Sequence, residues 1–254
     1  MRRLSAGIFL LVVFSTAKAQ WTQISTESEA SPLRGLEHRY VVVEDSSSGE
    51  RASLELAIFS TKSCRLKIVD QPSEPRLDLE EVMARGNFLA GVNGGYFDPG
   101  YRPIGLLIVD GTMIAPLQKA RLLSGVLSST GKKVQISRVS EFTLNQKPGA
   151  AVECGPMIVD LGKSVRGLES TKTARRTFAA VSGDKAALGF CSDVTLSDLS
   201  NVLTMVAIPG FKIQRVLNLD GGSSSAFWFK RANGGPFSIS EEKTVRDFVV
   251  IVPR

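Results

Sequence analysis

The chain has 254 residues and 27.4 kDa, with 43% hydrophobic and 22% charged residues, a balance that excludes a disordered chain and supplies a sizeable core. The formal charge of +6 invites a polyanion partner, but residues 1–19 remove most of that case. Arg2-Arg3, the apolar run Leu4–Phe14 and Ala17-Lys18-Ala19 have the form of a cleaved secretory signal, with cleavage expected after Ala19. The remainder holds 28 basic against 25 acidic residues, +3, so no nucleic-acid partner is expected. The apolar run is too short to span a bilayer, so no stable membrane anchor is expected after cleavage. The signal predicts a periplasmic or secreted protein exported by the Sec rather than the Tat route, since Leu4-Ser5-Ala6-Gly7 continues the twin arginine poorly.

Next comes a polar stretch, Gln20–Arg34, which reads as a loose lead-in, with one domain expected over 36–254. Hairpin signals then dominate. His38–Glu44 and Leu54–Phe59 read as strands around the turn material Asp45–Gly49. Leu106–Val109 and Thr112–Ile114 flank Asp110-Gly111, the strongest hairpin signal in the chain, because a two-residue primed turn demands positive φ angles. Weaker turns recur at Thr130-Gly131, Asp160-Leu161-Gly162 and Ser182-Gly183-Asp184.

Two helices interrupt the strands. Asp78 can cap Leu79–Arg85 with Glu81 completing a capping box, and Gly86 stops it. Thr195 and Asp198 repeat that logic ahead of Leu199, Val202, Leu203 and Val206, and Pro209-Gly210 follow. After each helix an apolar strand runs into paired glycines: Phe88–Asn93 into Gly94-Gly95, and Val216–Asp220 into Gly221-Gly222. The pattern predicts a single-domain α+β fold with antiparallel or mixed β-sheets and two inserted helices.

Those two strand ends are the sharpest chemical features. Each places a polar side chain, Asn93 or Asp220, before glycines whose open N–H groups can form an anion-binding nest. The plainer alternative is that Gly-Gly lets the chain turn out of the sheet. Arg175-Arg176-Thr177 opens another strand, where an arginine is either a solvated rim charge or a fork for a phosphoryl oxygen. Cys154-Gly155-Pro156-Met157 opens a further strand beside Glu153. A lone histidine, His38, argues against Ser-His-Asp, Cys-His and zinc chemistry, and no cofactor or metal is expected. Cys64, Cys154 and Cys191 make no disulfide scaffold; Cys154 and Cys191 are expected near each other, with Cys64 apart.

Asn93-Gly94-Gly95-Tyr96-Phe97, Gly155-Pro156, Arg176-Thr177, the Leu196 helix and Asn218–Ser224 occur in an order that resembles the phosphodiester glycosidase family, the uncovering-enzyme type that acts as an N-acetylglucosamine-1-phosphodiester α-N-acetylglucosaminidase. The resemblance runs from Leu36 to Val252, with Ser223 standing where a third glycine is common. It implies hydrolysis of the glycosidic C1–O bond in a sugar-1-phosphodiester. In that reading Asp220 is nucleophile or base, and Arg176 stabilises the departing phosphate with the glycine turns Gly94, Gly95, Gly155, Gly221 and Gly222. Asn93, Tyr96, Ser223 and Ser224 meet sugar hydroxyls or phosphate oxygens, and Glu153 and Asp184 are weaker candidates for a second carboxylate. The expected partner is a sugar-1-phosphodiester or phosphoglycan. Two alternatives use the same residues: a non-catalytic phosphoglycan binder of the cell envelope and a metal-dependent phosphodiesterase that cuts P–O.

Overall fold

The structure is a computed structural model that describes residues 20–131 and 133–254; the expected signal segment, 1–19, lies outside the described residues. The turn chemistry is where the sequence puts it. Asp110 and Gly111 both take positive φ, 46° and 81°, and join the strands Leu107–Val109 and Thr112–Ala115. Leu161 and Gly162 do the same between Met157–Asp160 and Lys163–Ser164. Gly183 at φ 59° turns Ala174–Ser182 into Lys185–Val194.

Three antiparallel sheets result. The largest has eight strands, with Arg51–Ser60, Lys185–Val194, Ala174–Ser182 and Arg215–Asn218 adjacent at its middle. A five-stranded sheet carries Ala150–Cys154 at its centre, and another carries Ala90–Asn93 between Phe227–Phe229 and Asp247–Pro253. The main core fills the space they share, with Phe59, Leu66, Leu107, Leu127, Leu217, Phe227 and Val249 drawn from all three.

Helix α1, Leu79–Arg85, starts as expected: Asp78 Oδ1 accepts the Glu81 N–H at 2.8 Å and the Glu81 side chain returns to the Asp78 N–H. It covers the outer face of Phe248, Val250 and Trp228. Helix α2, Leu196–Met205, is capped by the Thr195 hydroxyl on the Asp198 N–H at 3.1 Å and buries Leu199, Val202 and Leu203 against the outer face of the large sheet. The helices have 7 and 10 residues, so the fold is mainly β rather than the balanced α+β expected. Among the described residues no helix is long and apolar enough to cross a membrane.

Gln20–Arg34 also departs from expectation. Trp21–Ala30 is a ten-residue strand along the edge of the large sheet, in register with Leu36–Asp45. Only Trp21 in it is buried, so backbone pairing rather than core contact orders it. The three cysteines are buried free thiols. Cys154 lies with Cys64 in the central core, whereas Cys191 packs on the opposite face near α2, so the expected Cys154–Cys191 neighbourhood is not formed. The two lie on different sheets, and along Lys185–Val194 the side-chain alternation turns Phe190 toward the central core and Cys191 away from it.

Candidate active site

The ends of Ala90–Asn93 and Arg215–Asn218, the start of Ala174–Ser182 and the Gly155 bend meet where the sheets converge. Asn93, fully buried, is the pin between them. Its Oδ1 accepts from Thr177 Oγ1 at 2.7 Å and the Ala226 N–H at 3.1 Å, and its Nδ2 donates to the Asp220 carbonyl at 2.7 Å. The amide is spent on protein groups, so Asn93 positions Asp220 from beneath instead of facing a ligand.

Asp220 is thereby held at both ends of its backbone, since its N–H donates to the Gly94 carbonyl at 3.1 Å. Its half-buried carboxylate accepts the Gly221 N–H at 3.0 Å. Burial pushes its pKa above the ordinary 3.8; the Ser224 hydroxyl, the Lys243 charge and the Gly221 N–H pull the other way. Gly222 takes φ 65° with open space around the position of a Cβ, and the N–H groups of Gly222 and Ser223 have no acceptor among the described residues. This turn faces outward.

Gly94-Gly95 does not. The Gly94 N–H donates to the Asp247 carbonyl at 2.9 Å, and the Gly95 N–H to Asp247 Oδ1 at 3.2 Å. A Cβ on Gly94 would lie 1.8 Å from Asp247 Oδ1. Both N–H groups of the expected anion nest are thus taken by Asp247, one by its main-chain carbonyl and one by its carboxyl, which corrects the reading of Gly94 and Gly95 as substrate contacts. Gly155 differs again. A Cβ there would lie 2.1 Å from the Leu122 carbonyl, and its own carbonyl accepts the Tyr96 hydroxyl at 2.5 Å and Asn218 Nδ2 at 3.0 Å. Burial raises the Tyr96 phenol far above its usual range, so Tyr96 enters as a neutral group.

Arg176 packs against Gly221: a Cβ there would lie 4.0 Å from Arg176 Cδ. Its Nε donates to the Val194 carbonyl at 2.9 Å and its Nη2 to the Lys172 carbonyl at 2.6 Å, leaving Nη1 without an acceptor among the described residues. Burial lowers its pKa below the usual guanidinium range, opposed first by the Glu169 charge, and the guanidinium stays cationic. Arg175 faces away, binding the Ser225 and Ser240 carbonyls and Glu242, and secures the turn from behind. Asp220, Arg176, Tyr96, Gly221, Gly222 and Ser223 therefore come together, with Ser224 buried directly beneath.

The two weaker carboxylate candidates stand elsewhere. Asp184 is exposed on a turn, paired with Lys62 at 2.8 Å. Glu153 is fully buried, and its Oε2 accepts the N–H groups of Leu106 and Gln118 at 2.8 and 2.9 Å. The carboxylate the sequence reading missed is Asp247. It is 2% exposed, its Oδ2 has no partner, and burial raises its pKa to about 7, with the nearby Asp70 and Asp220 charges adding and Gly95 and Arg246 opposing. Its one sequence signal was a charged residue opening an apolar run, Asp247-Phe248-Val249-Val250. Asn218, also missed as a site residue, donates from Nδ2 to Tyr96 Oη at 3.2 Å and keeps Oδ1 unpartnered. Buried polar atoms without partners are rare in folded proteins, so their gathering here marks a functional region. Among the described residues no group of three or more His, Cys, Asp or Glu side chains is placed to hold a metal ion.

A mainly β fold thus brings a held carboxylate, an open glycine turn and an arginine together where its sheets converge, an arrangement suited to a hydrolase. The phosphodiester glycosidase family model matches residues 86–252, and the chain belongs to that family. Among curated proteins it is 31% identical over 91 residues to the uncharacterised protein YigE of Escherichia coli, a match over 33% of this chain and 36% of that one, so the match spans about a third of that relative's length. Among solved structures it shares its fold with the catalytic domain of zebrafish N-acetylglucosamine-1-phosphodiester α-N-acetylglucosaminidase auto-inhibited by its pro-peptide, at TM-score 0.62 and 15% identity over 91% of this chain and 89% of that one.

Proposed function

We propose that this chain is an exported hydrolase that breaks the glycosidic C1–O bond of a sugar-1-phosphodiester, releasing free sugar and a phosphomonoester. Family membership supports the reaction class, and the residues of the 1–19 segment support a periplasmic or secreted location. The observation that carries the reading is the held Asp220 carboxylate beside an outward-facing Gly222-Ser223 turn and the unpaired Nη1 of Arg176.

The chemistry follows from charge. When C1–O breaks, its electron pair stays on a phosphate oxygen, and the phosphomonoester's second ionisation lies near ~6, so the leaving group needs little protonation. Arg176 and the Gly222 and Ser223 N–H groups meet that growing negative charge, a preorganised arrangement whose dipoles need not turn during the step. Asp220 offers its charge to the oxocarbenium-like carbon, as nucleophile or as base for water. Water supplies the hydroxyl on C1, and its second proton passes to Asp220 or to solvent. Neutral Tyr96 and Asn218 line the floor as hydrogen-bonding groups.

The test is turnover of a synthetic sugar-1-phosphodiester by Asp220→Asn protein of unchanged circular dichroism. The same side-chain shape without charge is expected to lower the rate roughly 10²–10³-fold. Activity within about threefold of wild type would return Asp220 to the role of a turn residue. Hydrolysis in ¹⁸O water adds a second arm: label is expected in the sugar hydroxyl, and label in phosphate would transfer the reaction to P–O cleavage.

A further inference from the structure

We propose that the rim beside Tyr96 and Gly155 is a subsite for an apolar aglycone, so that the substrate is a sugar joined through phosphate to a long-chain alcohol. This rests on the phosphodiester glycosidase reading and names the substrate class of the same site. Three aliphatic side chains stand exposed there: Ile104 and Leu117 at 38% and Leu122 at 53%. Each is fastened next to the floor of the cleft. The Ile104 N–H donates to the Tyr96 carbonyl at 2.8 Å. The Leu122 carbonyl abuts Gly155, whose own carbonyl receives Tyr96 and Asn218. The loop after Leu117 is tied by the Gln118 N–H to Glu153 Oε2, the oxygen that also takes the Leu106 N–H.

Scattered exposed aliphatic side chains need no explanation, but three on backbone segments tied to one site do. Their charged neighbours point to the occupant. Lys119 and Arg121 lie between Leu117 and Leu122, are exposed, and have no ion-pair partner among the described residues. Unpaired cations interleaved with aliphatic side chains complement an amphiphile with an anionic head. A glycan aglycone would be served by aromatic platforms, which the stretch from Leu117 to Leu122 lacks. The phosphate also falls toward this side: Arg176 packs on Gly221, next to Asp220, whose N–H is held by the Gly94 carbonyl two residues before Tyr96, so a phosphoryl group on Arg176 is brought toward the rim.

The experiment compares two diesters of one sugar-1-phosphate, the methyl and the dodecyl ester, the latter below its micelle concentration. The purified protein is expected to hydrolyse the dodecyl ester with kcat/KM at least about tenfold higher, a preference of about 1.4 kcal/mol that fewer than two buried methylenes supply. The double variant Leu117→Ser, Leu122→Ser is expected to bring that ratio within about threefold of unity and leave the methyl ester rate within about twofold. Equal kcat/KM for both esters in the wild type, or a preference that survives the double variant, overturns the proposal. Calorimetric binding of dodecyl phosphate against methyl phosphate decides the subsite without any turnover. Binding at least about tenfold tighter for the long chain, lost in the double variant, upholds it even if neither ester is cleaved, in which case the hydrolytic reading alone fails. Equal binding of the two phosphates overturns it.

Discussion

Gly94-Gly95 and Gly221-Gly222 are the same dipeptide in the same context, at the end of an apolar strand that follows a helix, yet they do opposite things. The first is filled: both of its N–H groups go to Asp247, and its Cα lies so close to that carboxyl that a single methyl would collide. The second stands open, with Gly222 in the left-handed region and nothing within 4 Å of a would-be Cβ. A glycine pair can thus be a filled keystone or an open turn, and its surroundings decide which. The carbonyl of the keystone, at Gly94, is what holds the N–H of Asp220, so the filled turn supports the open one.

Gly94→Ala is the hardest test of that contrast. The added methyl meets Asp247 Oδ1 at 1.8 Å and its carbonyl at 3.0 Å, so backbone must move. Overpacking of this kind costs about 3 kcal/mol, and a chain of this size loses roughly 10 °C in Tm. A melt within about 2 °C of wild type would mean the turn has slack and is no keystone.

Asp247→Asn comes next, and its sign is set by the proton. The folded state holds a proton on Asp247 up to about 7, against an ordinary 3.8, so it binds more protons than the unfolded chain between those values. Stability must therefore fall as pH rises through that window, by at most ~4 kcal/mol. The asparagine variant keeps the shape and is free of this loss, so its urea midpoint should gain on wild type between pH 5 and pH 8. A variant that instead loses ground toward pH 8 would show that Asp247 is ionised in the folded protein and held by Gly95.

Gly222→Ala is the mildest. The methyl has room, and only the left-handed backbone opposes it, for about 1 kcal/mol and a Tm lower by a few degrees. Because the N–H is kept, kcat/KM should stay within about fivefold. A collapse of activity in a folded protein would show that the turn must change conformation to work.

These contrasts mark where sequence reading stops. Local signals carried through: the Asp78 and Thr195 caps, the Asp110-Gly111 hairpin and both strand-to-glycine junctions are written in neighbouring residues. Asp220, Arg176 and Tyr96 were legible as candidates because they sit in short distinctive motifs, and the structure brings them together. Asp247 was not, because it reaches Gly94 only through long-range pairing that sets Phe248 opposite Asn93. The strand Trp21–Ala30 escaped notice for a different reason. It buries almost nothing, so it has no hydrophobic period to read, and its order comes from hydrogen bonds to its neighbour. Whether a buried amide such as Asn93 faces a ligand or a neighbouring strand is likewise a property of the assembled sheets.

Glu153 ties the loops bearing the rim to the wall of the cleft through a single carboxylate oxygen, and both of the groups it receives, from Leu106 and Gln118, are main-chain amides. Every residue except proline has such an amide. The loops can therefore exchange their exposed side chains without loosening their anchorage, and Asp220, fixed from beneath by Asn93, is insulated from those exchanges. Those exposed side chains can change at little cost to folding, while the anchorage that fixes the loops stays the same.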